Sequence, residues 1–191
     1  MGELFLVRHA ATAWSGRRYC GRTDLPLTVD GQSAARTLGH ELRSATLPGP
    51  VRIVSSPLLR ARQTADAIAK AMGADGFAVD ARWVETDFGV AEGLTFAELE
   101  ASRPQIAARL AAGALDIDWP GGETAAALRM RVEDAWRALT EEPGSWVVVA
   151  HGGPLRIAIA LATGVAPASV AAPEPGTVWR RPPNAIASFP V

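Results

Sequence analysis

The chain has 191 residues, enough for a sizeable buried core, and one domain spanning residues 1–191 is the expectation. With 19 basic against 20 acidic residues, nothing in the net charge favours nucleic acid, a membrane surface or a strongly acidic partner, so any affinity for anions must be local. The single cysteine, Cys20, can neither close an intrachain disulfide nor build a metal cluster, no stretch reaches the ~18 apolar residues of a membrane helix, and Leu4 to Val7 is too short for a signal-peptide core; the expected location is the cytoplasm.

In chain order, Glu3 to Val7 reads as a short strand covered on both faces, because its apolar run is continuous and bounded by polar residues. A long loop follows. From Asp30 to Leu47, Ala34, Ala35, Leu38 and Leu42 recur at helical spacing. Val51 to Ser55 predicts a second strand, after which Ser56 offers an N-cap and Pro57 a first-turn proline to a helix with Ala61, Ala65, Ile68 and Met72 on one face. A short strand is expected near Phe77 to Val79, then one or two short helices between Phe96 and Ala112, interrupted at Arg103-Pro104 because the residue before proline avoids helical geometry. Thr124 to about Thr140 predicts a longer amphipathic helix with Leu128, Val132, Ala135, Trp136 and Leu139 inward.

The stretch SWVVVAHGGPLRIAIALATG gives a β-branched strand at Trp146 to Ala150, a tight turn HGGP, and a nearly all-apolar helix from Pro154 to Thr163. Val165 to Pro183 reads as an irregular Pro- and Ala-rich segment, either a lid or a connection, leading into a last strand at Ala185 to Phe189. Strands alternating with helices predict an α/β fold with a mostly parallel sheet and helices on both faces.

In such a sheet, ligands bind beyond the carboxyl ends of the strands. The first strand ends in Arg8-His9, the second leads through SSP to Arg60, and the Trp146 to Ala150 strand ends in His151-Gly152-Gly153. Arg60 falls in the first turn of its helix, where the macrodipole disfavours a cation, so a bound anion is the expected compensation. The two glycines let backbone amides approach an oxyanion closely. Two arginines, two histidines and a glycine turn describe a phosphate pocket in which a neutral imidazole can attack phosphorus while the cations stabilise the equatorial oxygens. The leaving alkoxide then needs a carboxylic acid, for which WVETDFGVAEG offers Glu85, Asp87 and Glu92; spacing does not choose among them. His40 lies off the apolar face of its helix and reads as a solvated surface residue, which disfavours a three-histidine zinc site. Arg156 reads as surface or supporting charge, Glu123-Thr124 as a helix cap, and Trp14 as a candidate contact for the organic part of a substrate.

With those residues in place, the sequence resembles the histidine phosphatase superfamily, the phosphoglycerate-mutase-like fold, over nearly its whole length: LVRHAATAW, GRTDLPLTVDG, SSPLLRARQTA, VETDFGVAEG, PGGET and VVVAHGGPLR arrive in the family's order. The resemblance implies a three-layer α/β/α sandwich with His9 as the phosphorylated nucleophile. It implies that Arg8, Arg60, His151 and the Gly152 amide hold the phosphoryl group, that Glu85 is the general acid, and that no metal or other cofactor takes part. Ser15 stands where the family commonly has a phosphate-binding asparagine. Ala10 stands for a glycine, so its backbone must suit a methyl group, and Ala91 for a tryptophan, which puts the usual packing of that loop in doubt.

The family's mutases are longer, which favours water as the phosphoryl acceptor here. The loop YCGRTDLPLT and the run DWPGGET are most similar to the α-ribazole phosphatase branch. The expectation is thus a metal-independent phosphomonoesterase acting on a small phosphate ester through a phosphohistidine on His9. A phosphoglycerate-type mutase and a non-catalytic phosphate sensor are the alternatives, and a homodimer stays open.

Overall fold

The computed structural model describes residues 2–45 and 50–181. Among these, five strands, β1 (Leu4–Arg8), β2 (Val51–Ser55), β3 (Ala78–Val79), β4 (Ser145–Ala150) and β5 (Val178–Arg180), form one sheet in the spatial order β3-β2-β4-β1-β5. The first four run parallel and β5 is antiparallel to β1. The described helices are α1 (Val29–Ser44), α2 (Leu59–Met72), α3 (Phe96–Ser102), α4 (Pro104–Ala111), α5 (Ala125–Glu141) and α6 (Gly152–Thr163). None is long and apolar enough to cross a membrane.

The continuous apolar runs of β1 and β4 follow from cover on both faces. Leu4, Leu6, Val148 and Ala150 pack with Val132, Trp136, Leu155 and Ala158 of α5 and α6, while Phe5, Val7, Val147 and Val149 pack with Leu38, Leu42, Ala61, Ala65 and Ile68 of α1 and α2. Side chains alternate across a strand, so two apolar layers demand an apolar residue at every position. This is the predicted three-layer α/β/α arrangement.

A smaller cluster lies outside those layers. α3 starts on a reciprocal capping box between Thr95 and Glu98, α4 starts on Pro104, and Ala91, Leu99, Ile117 and Trp119 are buried between them and the neighbouring loops. Ala91 is fully buried here, with Tyr19, Phe88 and Leu94 packed around the cluster, so the loop that lacks the family's tryptophan is filled from other segments.

Four expectations are corrected. Ala34 of α1 is exposed, the inner face being Ala35, Leu38 and Leu42. α2 begins at Leu59, not at Pro57, and Ser56 is not its cap; Asp24, returning from the long loop after β1, accepts from the Leu59 amide instead. α6 begins at Gly152, so the glycines form its first turn and not a turn before it. Within the segment expected to be irregular, Val178–Arg180 closes the edge of β1 by pairing with Phe5 to Val7. The strand expected at Ala185 to Phe189 lies outside the described residues, as does the end of the helix predicted to reach Leu47.

Candidate active site

Strand register assembles the centre of the site. In the parallel pair of β1 and β4, Arg8 stands beside Ala150, and the His9 amide donates to the Ala150 carbonyl at 3.0 Å, so the next residues, His9 and His151, emerge side by side. Their ring centroids are 4.9 Å apart and both side chains are buried. β2 pairs with the other edge of β4, bringing the fully buried Ser56 within 2.7 Å of His151 Nε2 through its hydroxyl. Sequence reasoning missed Ser56; the signal was its position one residue past a strand end, the same place occupied by His9 and His151.

His9 Nδ1 donates to the Ala10 carbonyl at 2.7 Å, which fixes the ring as the Nδ1–H tautomer and leaves the lone pair on Nε2. Arg60 Nε donates to that atom at 3.3 Å. Burial first, and then the Arg60 guanidinium, pull the His9 pKa down to about 3, so the ring is neutral at physiological pH. His151 is pushed well below its ordinary value by complete burial and by the neighbouring His9, Arg60 and Arg8. Ala10 is fully buried beside Leu27 and Ala35, and no non-glycine residue among those described has a positive φ, so the methyl group costs no backbone strain.

Arg60 is fully buried, and its charge is met by carbonyl oxygens before any anion arrives. Nη1 donates to Thr23 at 2.8 Å and Nη2 to Cys20 and Gly21 at 3.2 and 2.7 Å. With the Asp24 carboxylate on the Leu59 amide, these contacts supply the compensation that its place at a helix N-terminus requires. Arg8 is held by the Pro173 carbonyl through Nη1 at 2.6 Å and lies over Gly152, where a Cβ would come 3.4 Å from the Arg8 guanidinium carbon.

Of the three acids, only Glu85 faces this centre. Asp87 accepts from Gly89 within its own turn, and Glu92 accepts from the amides of Gly21 and Thr23, holding the loop that clamps Arg60. Glu85 Oε1 accepts from the amides of Thr86 at 2.9 Å and Gly153 at 3.1 Å, so the N-terminus of α6 carries the carboxyl group. A Cβ on Gly153 would come 2.6 Å from both Glu85 Oε1 and Thr86 Oγ1. The backbone of this segment is fixed from two sides. Arg22 Nε donates to the Glu85 carbonyl, and Arg131, paired through both its Nε and Nη2 with Glu123, donates to the carbonyls of Arg82 and Val84. Glu123 is therefore more than the helix-capping residue expected; Thr124 caps α5, accepting from Ala127, and Asp118 accepts from the Ala125 amide.

Among the described residues, four buried side-chain nitrogens have no hydrogen-bond partner, and three of them, Arg8 Nε, His151 Nδ1 and Arg156 Nε, belong to this region. Buried donors are normally satisfied, so a cluster of orphans marks a place where a ligand's acceptors complete the structure. Arg156 was read as a surface or supporting charge; it lies four residues after Gly152, on the same face of α6, and lines a cleft of about 830 Å³ together with Arg8, Glu85, Gly152 and Gly153. Ser15 is not drawn in: its hydroxyl accepts from the Thr12 amide at 2.9 Å and lies 3.3 Å from the Thr12 hydroxyl. Trp14 packs over Gly93, and the aromatic residues lining the cleft are Tyr19, Phe88 and Trp119. His40 is exposed, and burial raises the Cys20 pKa.

Comparison with known proteins places these observations in a family. A model described as "Histidine phosphatase superfamily (branch 1)" matches residues 4–177. A relative from Salmonella paratyphi C, "Probable phosphoglycerate mutase GpmB", is 37% identical over 155 residues, covering 80% of this chain and 70% of the relative. The solved structure of a mycobacterial glucosyl-3-phosphoglycerate phosphatase superposes with a TM-score of 0.74 at 30% identity, covering 87% of this chain and 82% of that one. At 24% identity, a structure from Escherichia coli described as a candidate α-ribazole-5′-P phosphatase shares the fold with a TM-score of 0.76, covering 87% and 82% of the two chains.

Proposed function

The chain belongs to the histidine phosphatase superfamily, and from that premise we propose that it is a metal-independent phosphomonoesterase working through a phosphohistidine on His9. The observation that carries the proposal is the state of His9: a neutral ring whose Nδ1–H is fixed on Ala10 and whose Nε2 lone pair faces Arg60.

A substrate phosphoryl group takes the Arg60 Nε–H from His9 Nε2 and satisfies the orphan donors Arg8 Nε and His151 Nδ1, with Ser56 donating its hydroxyl proton to His151 Nε2 so that Nδ1 keeps its hydrogen. The Gly152 amide, at the first turn of α6, adds a further donor. The freed Nε2 lone pair attacks phosphorus, the ester P–O bond breaks, and the leaving oxygen takes a proton from Glu85. Both Glu85 hydrogen bonds fall on Oε1, which favours Oε2 as the oxygen that carries the transferred proton. In the second half, Glu85 accepts a proton from water, the resulting oxygen attacks phosphorus, and the P–N bond breaks to return the electron pair to Nε2 as inorganic phosphate leaves. Guanidinium groups and amides supply the positive field throughout.

The test is hydrolysis of p-nitrophenyl phosphate and small phosphate esters in EDTA, with rapid-quench labelling of residue 9. Activity lost to the chelator, or a labelled protein whose phosphate is not on His9, overturns the mechanism. A phosphoglycerate-type mutase is the second reading, favoured by the name of the Salmonella relative and by the unpartnered Arg156 Nε, which could take a carboxylate beside the phosphoryl group. Interconversion of 3- and 2-phosphoglycerate faster than release of inorganic phosphate would select it.

A further inference from the structure

The cleft does not end at the phosphoryl pocket. Besides Arg8, Glu85, Gly152 and Gly153, it is lined by Arg156 and Ile157 of α6 and by Leu110, Ala114 and Leu115 from α4 and the segment that follows it. Tyr19, Phe88, Ile117 and Trp119 form an apolar bank on its walls. The three rings brace one another: Phe88 and Trp119 meet edge-to-face at 4.9 Å, Tyr19 and Phe88 at 5.5 Å, and Tyr19 and Trp119 at 5.8 Å. The charged groups on this side are already engaged, Asp116 with Arg109, Asp118 with the Ala125 amide and Arg129 with Glu133.

A volume of about 830 Å³ is that of a drug-sized ligand site, well beyond what a phosphoryl group with a three-carbon acid fills. A polyhydroxylated alcohol placed against the rings and aliphatic side chains would lose water without gaining hydrogen bonds from them, whereas a ring would gain burial and edge-to-face contact.

We propose that the alcohol carrying the phosphate is bulky, largely apolar and ring-bearing, and that this aromatic bank sets the enzyme's substrate preference. The proposal rests on the phosphatase reading above and names the substrate class for the same site. It is tested with 2-phenylethyl phosphate and ethyl phosphate, both alkyl esters that place similar demands on the general acid. The kcat/KM ratio is expected to favour the phenylethyl ester by about tenfold or more, equivalent to ~1.4 kcal/mol. Leu115→Asp, at a partly exposed wall position, should reduce the ratio at least about threefold by setting a carboxylate against the ring. Because the ratio is taken within one preparation, it is insensitive to how much of the variant is folded.

Calorimetric binding of benzylphosphonate against methylphosphonate, which cannot be hydrolysed, repeats the comparison without turnover. Ratios near one in both measurements overturn the proposal while leaving hydrolysis standing. If neither ester is turned over but benzylphosphonate binds about tenfold more tightly than methylphosphonate, the phosphatase reading falls and the assignment of the cleft stands.

Discussion

At the strand ends, Arg8, His9, Arg60 and His151 are each positioned by backbone register or by hydrogen bonds to carbonyls, and the donors left over are orphans. At the other end of the same cleft, Tyr19, Phe88 and Trp119 hold one another by ring packing. The difference follows from what each end must bind. Charge developing in a dry pocket is stabilised by dipoles already in place, so displacing one donor there is costly. Apolar contact is non-directional and roughly proportional to area, so the far end tolerates change as long as volume and polarity are kept. Mutations at the first end should therefore act on kcat by orders of magnitude, and mutations at the second on the ranking of substrates.

The largest expected effect is that of His9→Ala, which should lower turnover about 10³-fold or more and abolish labelled phosphoenzyme. Inorganic phosphate should still bind within about tenfold of wild type, since Arg8, Arg60 and His151 remain and charge-assisted bonds dominate. A variant keeping about a tenth of its activity would remove His9 from the chemistry. Next comes Gly153→Ala. Its methyl group would displace the Glu85 carboxyl group from the end of α6, and kcat on alkyl phosphates should fall about 10- to 100-fold. p-Nitrophenyl phosphate, whose leaving group needs little protonation, should suffer less. Equal losses on both would mean that Glu85 is not the proton donor.

Much of the first end was legible because polar strand ends are visible in a one-dimensional pattern: an apolar run that stops on Arg8-His9 or His151 has an evident meaning in a parallel sheet. The helical break at Pro104 and the inner face of α5 were equally readable from local rules. What escaped was set by long-range return of the chain. Local grammar assigns Ser56 to a cap, yet Asp24, 35 residues before Leu59, takes the first amide of α2, while the Ser56 hydroxyl accepts from the Leu58 amide and reaches His151. Spacing left Glu85, Asp87 and Glu92 open and only the resemblance chose Glu85, because the choice depends on which amides each acid meets, and those amides come from α6 and from the Gly21–Thr23 loop. The aromatic bank draws its three rings from three separate loops, and no periodicity joins positions 19, 88 and 119. Arg156 was within reach, because its spacing from Gly152 put it on the site's face of α6.

A smaller effect, on stability, tests the burial of the imidazoles. The folded His9 titrates at about 3 against an ordinary 6.5, so between those values the unfolded chain binds a proton that the folded chain does not. Stability is then complete above about pH 6.5 and declines as the pH falls toward 3, with a slope of up to ~1.4 kcal/mol per pH unit for this group. His151, shifted in the same direction, adds to the decline. Denaturant midpoints measured in phosphate-free buffer should fall less steeply with acid in His9→Gln than in wild type. Parallel curves would show that His9 is not held neutral by the fold.

The smallest expected effect, and the most specific, is that of Ser56→Ala. The deletion removes the hydroxyl 2.7 Å from His151 Nε2 in a fully buried place, costing about 1 kcal/mol of stability as a lost hydrogen bond. A merely structural role would end there, with phosphate affinity per folded molecule unchanged. If Ser56 fixes the tautomer, the ring without its donor can move its hydrogen to Nε2, turning Nδ1 from a donor into an acceptor that repels a phosphate oxygen. Calorimetry should then show inorganic phosphate binding about three- to tenfold more weakly, because a matched charge-assisted hydrogen bond has become a mismatch. An unchanged Kd would leave His151 oriented by packing alone and would assign its Nδ1 some other purpose than holding the phosphoryl group.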